Sequence, residues 1–275
     1  MNDAAPEWPL SGMDANVPST ARVYDAILGG RDHFKVDREA AEIFMRALPQ
    51  VGEAARLNRA ALMRGVRYMV GRAGIDQLID IGCGLPTMEN THETAQKIDP
   101  DVRVVYVDND PMVLSHGRAL LADDRTTIVV TADLRDPESV LTNPDVRTLL
   151  DFDRPVGLVL TGMLMQVADA EDPDGILATL MAPLASGSHL FITTWPDTGD
   201  PAQAALSRAC LETLGNGWIR TLDAVERHFQ GMPLVAPGLE FVPRWHPGEP
   251  DREVPPADAL EPFERVLIAG MAVKP

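Results

Sequence analysis

The chain has 275 residues, of which 24 are Lys or Arg and 41 are Asp or Glu, so its formal net charge is −17. This excess of acids argues against a nucleic-acid partner, because such binding relies on Lys and Arg to neutralise phosphates. Two cysteines, Cys83 and Cys210, are too few for a disulfide framework and give no metal-ligand pattern, which favours a reduced, cytoplasmic setting.

The N-terminal quarter of the chain predicts a flexible arm followed by helices. Residues 1–17 carry acids and prolines without the apolar core of a signal peptide, so we predict a loosely docked arm there. Residues 18–74 are helical in pattern and precede the first predicted strand, which predicts a helical cap outside the alternating fold. The predicted helices of this cap span 20–28, 37–49 and 52–71.

Glycine and arginine are the notable residue types of the predicted cap. Gly29 and Gly30 follow its first helix, and they either only terminate that helix or let the backbone approach a ligand closely. The third helix is rich in arginine, and we interpret these side chains as a solvated face that pairs with nearby acids. The arginines concerned are Arg56, Arg59, Arg64, Arg67 and Arg72.

Residues 75–275 form the predicted main domain, in which strands and helices alternate as in a mostly parallel sheet. Strands are predicted at 77–81, 102–107, 127–131, 156–160, 189–194, 240–245 and 264–273. Helices are predicted at 89–98, 111–122, 173–184, 201–214 and 222–229, with short ones within 133–151. We expect the last two strands to pair antiparallel. The longest uncharged stretch, 155–168, is too short to span a bilayer, so no membrane partner is expected.

The loop after the first predicted strand has the composition of a nucleotide site. Gly82 and Gly84 allow the main chain to approach a ligand closely, because they have no Cβ. Thr87, the expected cap of the next helix, stands where a dinucleotide fingerprint has its third glycine. Asp80, just before the loop, would repel a pyrophosphate but could accept a hydrogen bond from an ammonium group. The loop therefore favours S-adenosylmethionine (SAM) over NAD.

Acids at further strand ends support the same ligand. Asp108 ends the second predicted strand, where a carboxylate is placed to accept both hydroxyls of a ribose. A single acid at a strand end is more commonly a helix cap or a solvated group. Asp80, Asp108 and Asp133 follow or end three successive strands, and together with the glycine loop they strengthen the prediction of a SAM site.

These motifs resemble those of class I SAM-dependent methyltransferases, through Asp80-x-Gly82-x-Gly84, Asp108 and Thr131–Leu134. Over nearly its whole length the chain is also similar to a largely uncharacterised bacterial S-adenosyl methyltransferase family with an N-terminal helical cap. The segments that carry this similarity are 21–34, 58–59, 80–87, 90–93, 107–111 and 132–137. The resemblance implies a Rossmann-like α/β fold of the class I type, with a seven-stranded, mostly parallel sheet, an antiparallel last hairpin and the N-terminal cap.

The resemblance also implies cofactor contacts just beyond the strand ends and in the cap. The glycine loop would follow the methionine part of SAM, and Asp80 would either receive its ammonium or orient the loop. Asp108 would hold the ribose, the residues after strands two and three would contact the adenine, and Thr161 and Gly162 would lie near the sulfonium. The predicted set is Tyr24, Gly30, Asp80, Gly82, Cys83, Gly84, Asp108, Asn109, Asp133, Leu134, Thr161 and Gly162.

No catalytic residue or metal site is predicted. Methyl transfer is an in-line displacement at a carbon already activated by the sulfonium, so alignment and exclusion of water supply much of the acceleration. A general base is needed only when the acceptor holds its proton at the working pH. Residues 161–166 contain no Asp-Pro-Pro-Tyr-like motif, which argues against the amino groups of nucleic-acid bases as acceptors. They also lack the histidine that related sequences often show there. Tyr24, His33 and His92 are candidate bases, with structural hydrogen bonds expected for both histidines.

The sequence thus predicts a cytoplasmic SAM-dependent methyltransferase that acts on a small-molecule acceptor and releases S-adenosylhomocysteine (SAH). The acidic composition disfavours nucleic acid, and a cap would restrict bulky acceptors. Two alternatives stay open at this point. One is a module that binds SAM or SAH without turnover, as a sensor would. The other is an NAD-dependent oxidoreductase, against which Asp80 and Thr87 count.

Overall fold

The computed structural model describes residues 13–86, 89–121 and 124–275 of the chain. Most of the predicted arm, residues 1–12, and the predicted helix cap Thr87 lie outside the described residues. The described residues form ten α-helices and seven β-strands. None of these helices combines the length and the apolar character needed to cross a membrane.

Three helices precede the sheet, as predicted. They are α1 (Thr20–Leu28), α2 (Lys35–Ala47) and α3 (Val51–Gly71). The side chain of Ser19 caps α1 by accepting a hydrogen bond from the amide of Arg22. Gly29 ends α1 with a φ of 80°, a left-handed conformation that glycine adopts without strain. The helix-terminating role of this glycine is therefore confirmed.

A seven-stranded sheet forms the centre of the molecule. Its strands are β1 (Gln77–Ile81), β2 (Arg103–Asp108), β3 (Thr127–Thr131), β4 (Gly157–Thr161), β5 (His189–Thr194), β6 (Glu240–Phe241) and β7 (Ile268–Val273). Their spatial order is β3-β2-β1-β4-β5-β7-β6. The neighbours from β3 to β5 run parallel, whereas β7 is antiparallel to β5 and β6 is antiparallel to β7. The predicted fold class is confirmed, and the strand order reverses between β1 and β4.

Helices cover both faces of this sheet. Those that follow β1 are α4 (Thr91–Gln96), α5 (Pro111–Leu120), α6 (Pro137–Leu141), α7 (Pro144–Leu149), α8 (Pro173–Met181), α9 (Pro201–Leu214) and α10 (Leu222–Arg227). Side chains alternate along β1, so Leu78 joins the core made with α1, α2 and α3, while Ile79 and Ile81 join the core made with α6, α7 and α8. The cap of residues 18–74 thus shares a core with the sheet, and its status as a separate unit stays a prediction.

The C-terminal hairpin is shorter than predicted. β6 ends at Phe241 instead of Trp245, because Pro243 has no N–H for a ladder and the chain turns there. The amides of Arg244 and Trp245 both donate to the carbonyl of Phe241, at 2.8 and 3.0 Å, which closes the turn. β7 begins at Ile268 rather than at residue 264, because Pro262–Arg265 forms a 3-10 helix.

The helix after the glycine loop also starts later than predicted, at Thr91 instead of residue 89. Its N-terminus is fixed by the Glu93 carboxylate, which accepts a hydrogen bond of 2.8 Å from the amide of Asn90. Residue 89 therefore lies before the helix, and its carbonyl accepts a hydrogen bond from Arg59.

Candidate cofactor site

A cavity of about 600 Å³ lies beyond the carboxyl ends of β1 to β4. This volume is in the range of small-molecule sites, and the position is the point of strand-order reversal where open α/β sheets bind ligands. The helices α1 and α3 cover the cavity, and residues 13–19 close it on the side of β2. In the other direction it extends past the end of β5 to α9 and to the residues before β7.

The glycine loop borders this cavity with Gly82, Cys83 and Gly84. Gly82 has a φ of 71°, and a Cβ at this position would overlap the side chain of Met163. Gly84 has a φ of 67°, but a Cβ there would meet no atom within 4 Å. Both positions therefore require glycine for their backbone conformation. At Gly84 the space beside the main chain is open, so a ligand can approach the backbone there.

Asp108, at the end of β2, lies beside this loop and lines the cavity. Its two carboxylate oxygens accept hydrogen bonds from the amides of Gly84 and Asp110, at 3.0 and 2.9 Å. The side chain is buried, and this burial raises the pKa of the carboxyl above its ordinary value. The amides fix the orientation of the carboxylate, and the thiol of Cys83 lies 4.0 Å from the oxygen that Gly84 contacts. A carboxylate has about four lone-pair sites, so acceptor capacity remains for a ribose hydroxyl.

Asn109 and Asp133 form the neighbouring wall, after β2 and β3. The amide nitrogen of the Asn109 side chain donates to Asp133 over 2.8 Å, and the backbone amide of Arg135 donates to the other oxygen of Asp133 over 2.9 Å. Burial alone would raise the pKa of Asp133, but these hydrogen bonds outweigh it and lower the pKa below its ordinary value. Leu134 lines the same wall, so the structure brings this predicted group together.

The structure places Asp80 behind the glycine loop, outside the lining of the main cavity. It is buried in a small space of about 30 Å³, where it accepts a hydrogen bond of 2.6 Å from the hydroxyl of Thr91. Burial raises the pKa of Asp80 to about 6, although the Thr91 hydrogen bond opposes this rise. Of the two predicted roles for Asp80, this position fits the one of orienting the loop.

Thr161 and Gly162, at the end of β4, line the cavity opposite Tyr24 of α1. A chain of hydrogen bonds joins these elements. Gly162 donates from its amide to the hydroxyl of Thr193, over 2.9 Å, and this hydroxyl donates to the Asn58 side chain over 2.6 Å. Asn58 in turn donates to the hydroxyl of Tyr24 over 3.4 Å. The network fixes the covering helices to the strand ends.

Gly30 is the second member of the predicted set that does not line the cavity. A Cβ at Gly30 would overlap the carboxylate of Asp25, so this glycine is required for packing against a neighbouring side chain. The same carboxylate accepts from the backbone amide of Asp32 at 2.9 Å and lies 2.8 Å from Nδ1 of His33. His33 therefore has a structural partner in Asp25. Gly30 allows the chain to pass close to the same Asp25 carboxylate in the turn after α1.

The segment before α1 is a part of the site that the sequence pattern did not reveal. The hydroxyl of Ser19 donates to Asp110, which caps α5, and so connects this segment to the turn after β2. Arg22 is buried in an ion pair with Asp37 and donates to the carbonyl of Val17 over 2.6 Å. These contacts hold residues 13–19 across the cavity, beside Asp108. Hydrophobic periodicity does not reveal such an arrangement, because it depends on partners distant in the sequence.

The prediction of a solvated arginine face on α3 is wrong for two of its five members. Arg56, Arg67 and Arg72 are exposed, as predicted. Arg64 is half-buried and donates to the carbonyls of Trp245 and Val242, at 2.9 and 2.7 Å. Arg59 lines the cavity, as the glycine loop does, and its guanidinium donates to the carbonyl of Glu89.

The order of the seven strands, the antiparallel last hairpin and a switch-point cavity walled by strand-end acids define a class I SAM-dependent methyltransferase. The chain belongs to the S-adenosyl methyltransferase family, which it matches over residues 6–275. The predictions of enzyme class and of SAM as cofactor are therefore confirmed. The individual contacts to SAM stay predictions.

Two solved structures are similar to this chain over almost its whole length. A predicted methyltransferase from Thermobifida fusca YX is 49% identical, with a TM-score of 0.91 over 98% of this chain and 99% of the other. A DUF574-family protein from Streptomyces avermitilis MA-4680 is 37% identical, with a TM-score of 0.87 over 95% and 99% of the two chains. None of the curated proteins searched matches the chain.

A more distant structure shares the fold alone. The plantazolicin methyltransferase BpumL, in complex with a triazolic desmethylPZN analog and SAH, is 13% identical to this chain. It superposes with a TM-score of 0.52 over 92% of this chain and 95% of its own. The core topology is therefore kept at very low sequence identity.

Proposed function

We propose that this enzyme transfers the methyl group of SAM to a small-molecule acceptor that is enclosed with the cofactor in the 600 Å³ cavity. The observation that carries this proposal is that one continuous cavity connects the strand-end acids with a second, apolar end near α9. The complex of BpumL, a protein of the same fold, with a triazolic desmethylPZN analog and SAH agrees with this proposal. The free thiols of Cys83 and Cys210 agree with a reduced, cytoplasmic setting. The similar structures from Thermobifida fusca and Streptomyces avermitilis agree with a bacterial one.

The proposed cofactor orientation follows the charges of the cavity wall. Asp108 accepts from the ribose hydroxyls, and Asn109, Asp133 and the backbone of Leu134 contact the adenine. The loop from Gly82 to Gly84 carries the methionine part against its backbone. In this orientation the sulfonium lies near Thr161 and Gly162, at the junction between the two ends of the cavity.

Arg59 carries a positive charge near the proposed position of the methionine part of SAM. Arg59 lines both the main cavity and the small space that holds Asp80. Among the described residues it forms no direct ion pair with a carboxylate, and its charge acts on Asp80 by a Coulombic interaction that lowers the pKa of that carboxyl against the larger effect of burial. A planar guanidinium can bind a carboxylate through two parallel hydrogen bonds. We therefore propose that Arg59 binds the carboxylate of the methionine part of SAM.

The residues of the cavity would promote the reaction through position and exclusion of water. SAM supplies a methyl carbon that the sulfonium already activates, so the acceptor needs alignment behind that carbon more than it needs acid–base chemistry. Residues 13–19 and α1 cover the cavity and restrict the entry of bulk water. The hydrogen-bonded chain from Gly162 to Tyr24 holds the cover at a fixed distance from β4.

Isothermal titration of the purified protein with SAM, SAH and NAD tests the cofactor part of this proposal. We expect saturable binding of SAM and SAH at one site per chain and no heat from NAD. Incubation with SAM and a panel of small acceptors then tests turnover, with SAH and the methylated product measured by mass spectrometry.

Three results would contradict the proposed function. Tight binding of SAM without methylation of any small acceptor, together with methylation of a protein or nucleic acid, would remove the small-molecule acceptor. Binding of SAM and SAH without any turnover would instead support the sensor alternative. Binding of NAD in preference to SAM would contradict the cofactor orientation itself.

A further inference from the structure

The cavity has a second end that is distinct in composition from the SAM end. It lies on the β5 and β7 side of β1, away from β2 and β3. We call this the acceptor end, and its walls come from α2, α9, the end of β5 and the residues before β7. Its wall residues are Phe44, Trp195, Leu206, Cys210, Leu214 and Val266.

Two aromatic side chains stand in this wall. Trp195 follows β5 and is 9% exposed, and Phe44 on α2 is 3% exposed. The helices α2 and α9 pack against each other, so these rings and the leucines of α9 enclose one apolar space. Aromatic walls favour flat aromatic ligands, since offset stacking and edge contacts add to the burial of apolar area.

The acceptor end has no charged side chain among the described residues that wall it. The charged residues that line the rest of the cavity belong to the segment before α1, to the start of α1, to α3, to the end of β2 and to the turns after β2 and β3. A charged acceptor would therefore lose its hydration without finding a counter-ion in this wall, at a large cost in free energy. The composition of the wall favours an uncharged acceptor.

The described part of the cavity also lacks an imidazole or amine base. All six histidines have hydrogen-bond or ion-pair partners elsewhere, and none lines the cavity; they are His33, His92, His116, His189, His228 and His246. The lysines pair with Glu39 and Glu89 or with backbone carbonyls.

The other titratable groups near the acceptor end hold their protons. Burial raises the pKa of the Cys210 thiol to about 12, and burial likewise raises the pKa of the Tyr24 hydroxyl. Tyr24 already donates its proton to the carbonyl of Ala55, over 3.0 Å. A hydroxyl acceptor would thus reach the methyl carbon with its proton still attached, which makes it a poor nucleophile.

Thr161 provides a polar contact at the junction of the two ends. Its side chain is on the same face of the sheet as Val159, because alternate residues of β4 share a face, and this is the face covered by α3. Its hydroxyl makes no hydrogen bond to any other described residue, although it lines the cavity. It is free to hydrogen-bond one polar atom of an otherwise apolar ligand.

We propose that the acceptor end binds an uncharged, flat aromatic molecule whose nucleophile is a nitrogen with a free lone pair at neutral pH. This inference rests on the proposed function and narrows its substrate class. The nitrogen lone pair forms the new bond to the methyl carbon while the carbon–sulfur bond breaks and its electron pair passes to sulfur. The positive charge moves from sulfur to nitrogen, SAH leaves as a neutral thioether, and no protein base takes a proton.

Binding to the protein saturated with SAH tests the shape and charge parts of this inference. Isoquinoline, 2-naphthol and 2-naphthoate are bicyclic probes of similar size that carry a ring nitrogen, a hydroxyl and a carboxylate. In isothermal titration at pH 7.5 we expect isoquinoline to bind and 2-naphthoate to bind about tenfold more weakly or worse. Equal or tighter binding of the carboxylate would overturn the uncharged class, and so would a lack of isoquinoline binding.

A matched pair of variants locates the bound probe. Leu214 is half-buried in the wall of the acceptor end, whereas Leu222 is 52% exposed on α10 and does not line the cavity. L214E should weaken isoquinoline binding about tenfold or more, because it places a carboxylate in the apolar wall. L222E should leave isoquinoline binding unchanged, and both variants should keep the SAH affinity. Equal isoquinoline affinity in L214E and the unmodified chain would overturn the location.

Turnover separates this inference from the proposed function. With SAM present, we expect methylated isoquinoline and SAH to form in equal amounts, at a rate that does not rise between pH 7 and pH 9. Faster methylation of 2-naphthol or 2-naphthoate would overturn the nitrogen class and still support small-molecule methyl transfer. Loss of SAM binding would instead show that the proposed function itself is wrong.

Discussion

The backbone amides of Gly84 and Asp110 donate hydrogen bonds to the carboxylate of Asp108 and fix its orientation. The carboxylate therefore needs no reorganisation to bind a ribose. The same amide of Gly84 belongs to the loop that carries the methionine part of the cofactor in our proposal. One side chain therefore connects the ribose contact with the shape of the glycine loop. This is a link between residues 24 positions apart in the chain.

Replacing the carboxylate of Asp108 tests this residue. D108N keeps the size of the side chain but loses the charge and one acceptor oxygen, so we expect SAM binding to weaken by about 1–3 kcal/mol. Isothermal titration measures the effect, with D153N at an exposed position as the control. Unchanged SAM affinity in D108N would show that the ribose lies elsewhere.

Arg59 and Arg56 provide a matched test on one helix. Arg56 is 56% exposed and pairs with Glu53, whereas Arg59 borders the cavity. R59Q should weaken SAM and SAH alike by about 1.5–3 kcal/mol, the contribution of hydrogen bonds to a charged group. R56Q should leave both affinities unchanged. Adenosine lacks the methionine carboxylate, so its affinity should not respond to R59Q, and an equal loss for adenosine would contradict the assignment.

At the scale of elements, Asp80 and Thr91 fasten α4 to the end of β1. In the folded protein Asp80 keeps its proton up to about pH 6, whereas in the unfolded chain it loses this proton near its ordinary pKa of 3.8. Between these values the unfolded state is ionised and the folded state is not. This group therefore lowers the free energy of unfolding as the pH rises from about 4 to about 6.

The variant D80N removes this titration and keeps an oxygen for Thr91. Relative to the unmodified chain, D80N should gain stability between pH 4 and pH 7.5, by up to roughly 3 kcal/mol for a pKa difference of about two. Urea unfolding of both proteins at these two pH values measures the gain. A stability difference that does not change with pH would show that Asp80 titrates normally in the folded state.

Some helices and strands have the bounds that sequence periodicity and turn chemistry predict, and others do not. β1, β3, β5 and α9 have the predicted bounds, because apolar runs and the Asp200-Pro201 cap mark them locally. β6 is shorter than predicted, because its pairing stops where Pro243 turns the chain. The inward position of Arg59 and Arg64 depends on how α3 lies over the sheet, and the spacing of arginines along the sequence does not reveal that packing.

For the whole molecule, the order of the motifs along the sequence predicts the fold. No motif predicts how the site is enclosed. The glycine loop and the acids Asp108 and Asp133 were predicted to share a site, and all of them line one cavity. Parallel strands bring their carboxyl ends to one edge, so strand-end motifs meet even when they are distant in sequence. The cover made by residues 13–19 and the apolar acceptor end arise from tertiary packing of segments with no shared motif.

We propose that SAM lies in this cavity with its ribose on Asp108, its methionine carboxylate on Arg59 and its sulfur facing the acceptor end. A crystal structure of the protein with SAH tests this claim most directly. We expect hydrogen bonds of ordinary length from both ribose hydroxyls to Asp108 and two parallel hydrogen bonds from Arg59 to the SAH carboxylate. A ligand whose ribose does not touch Asp108, or whose sulfur faces away from Trp195 and α9, would contradict it.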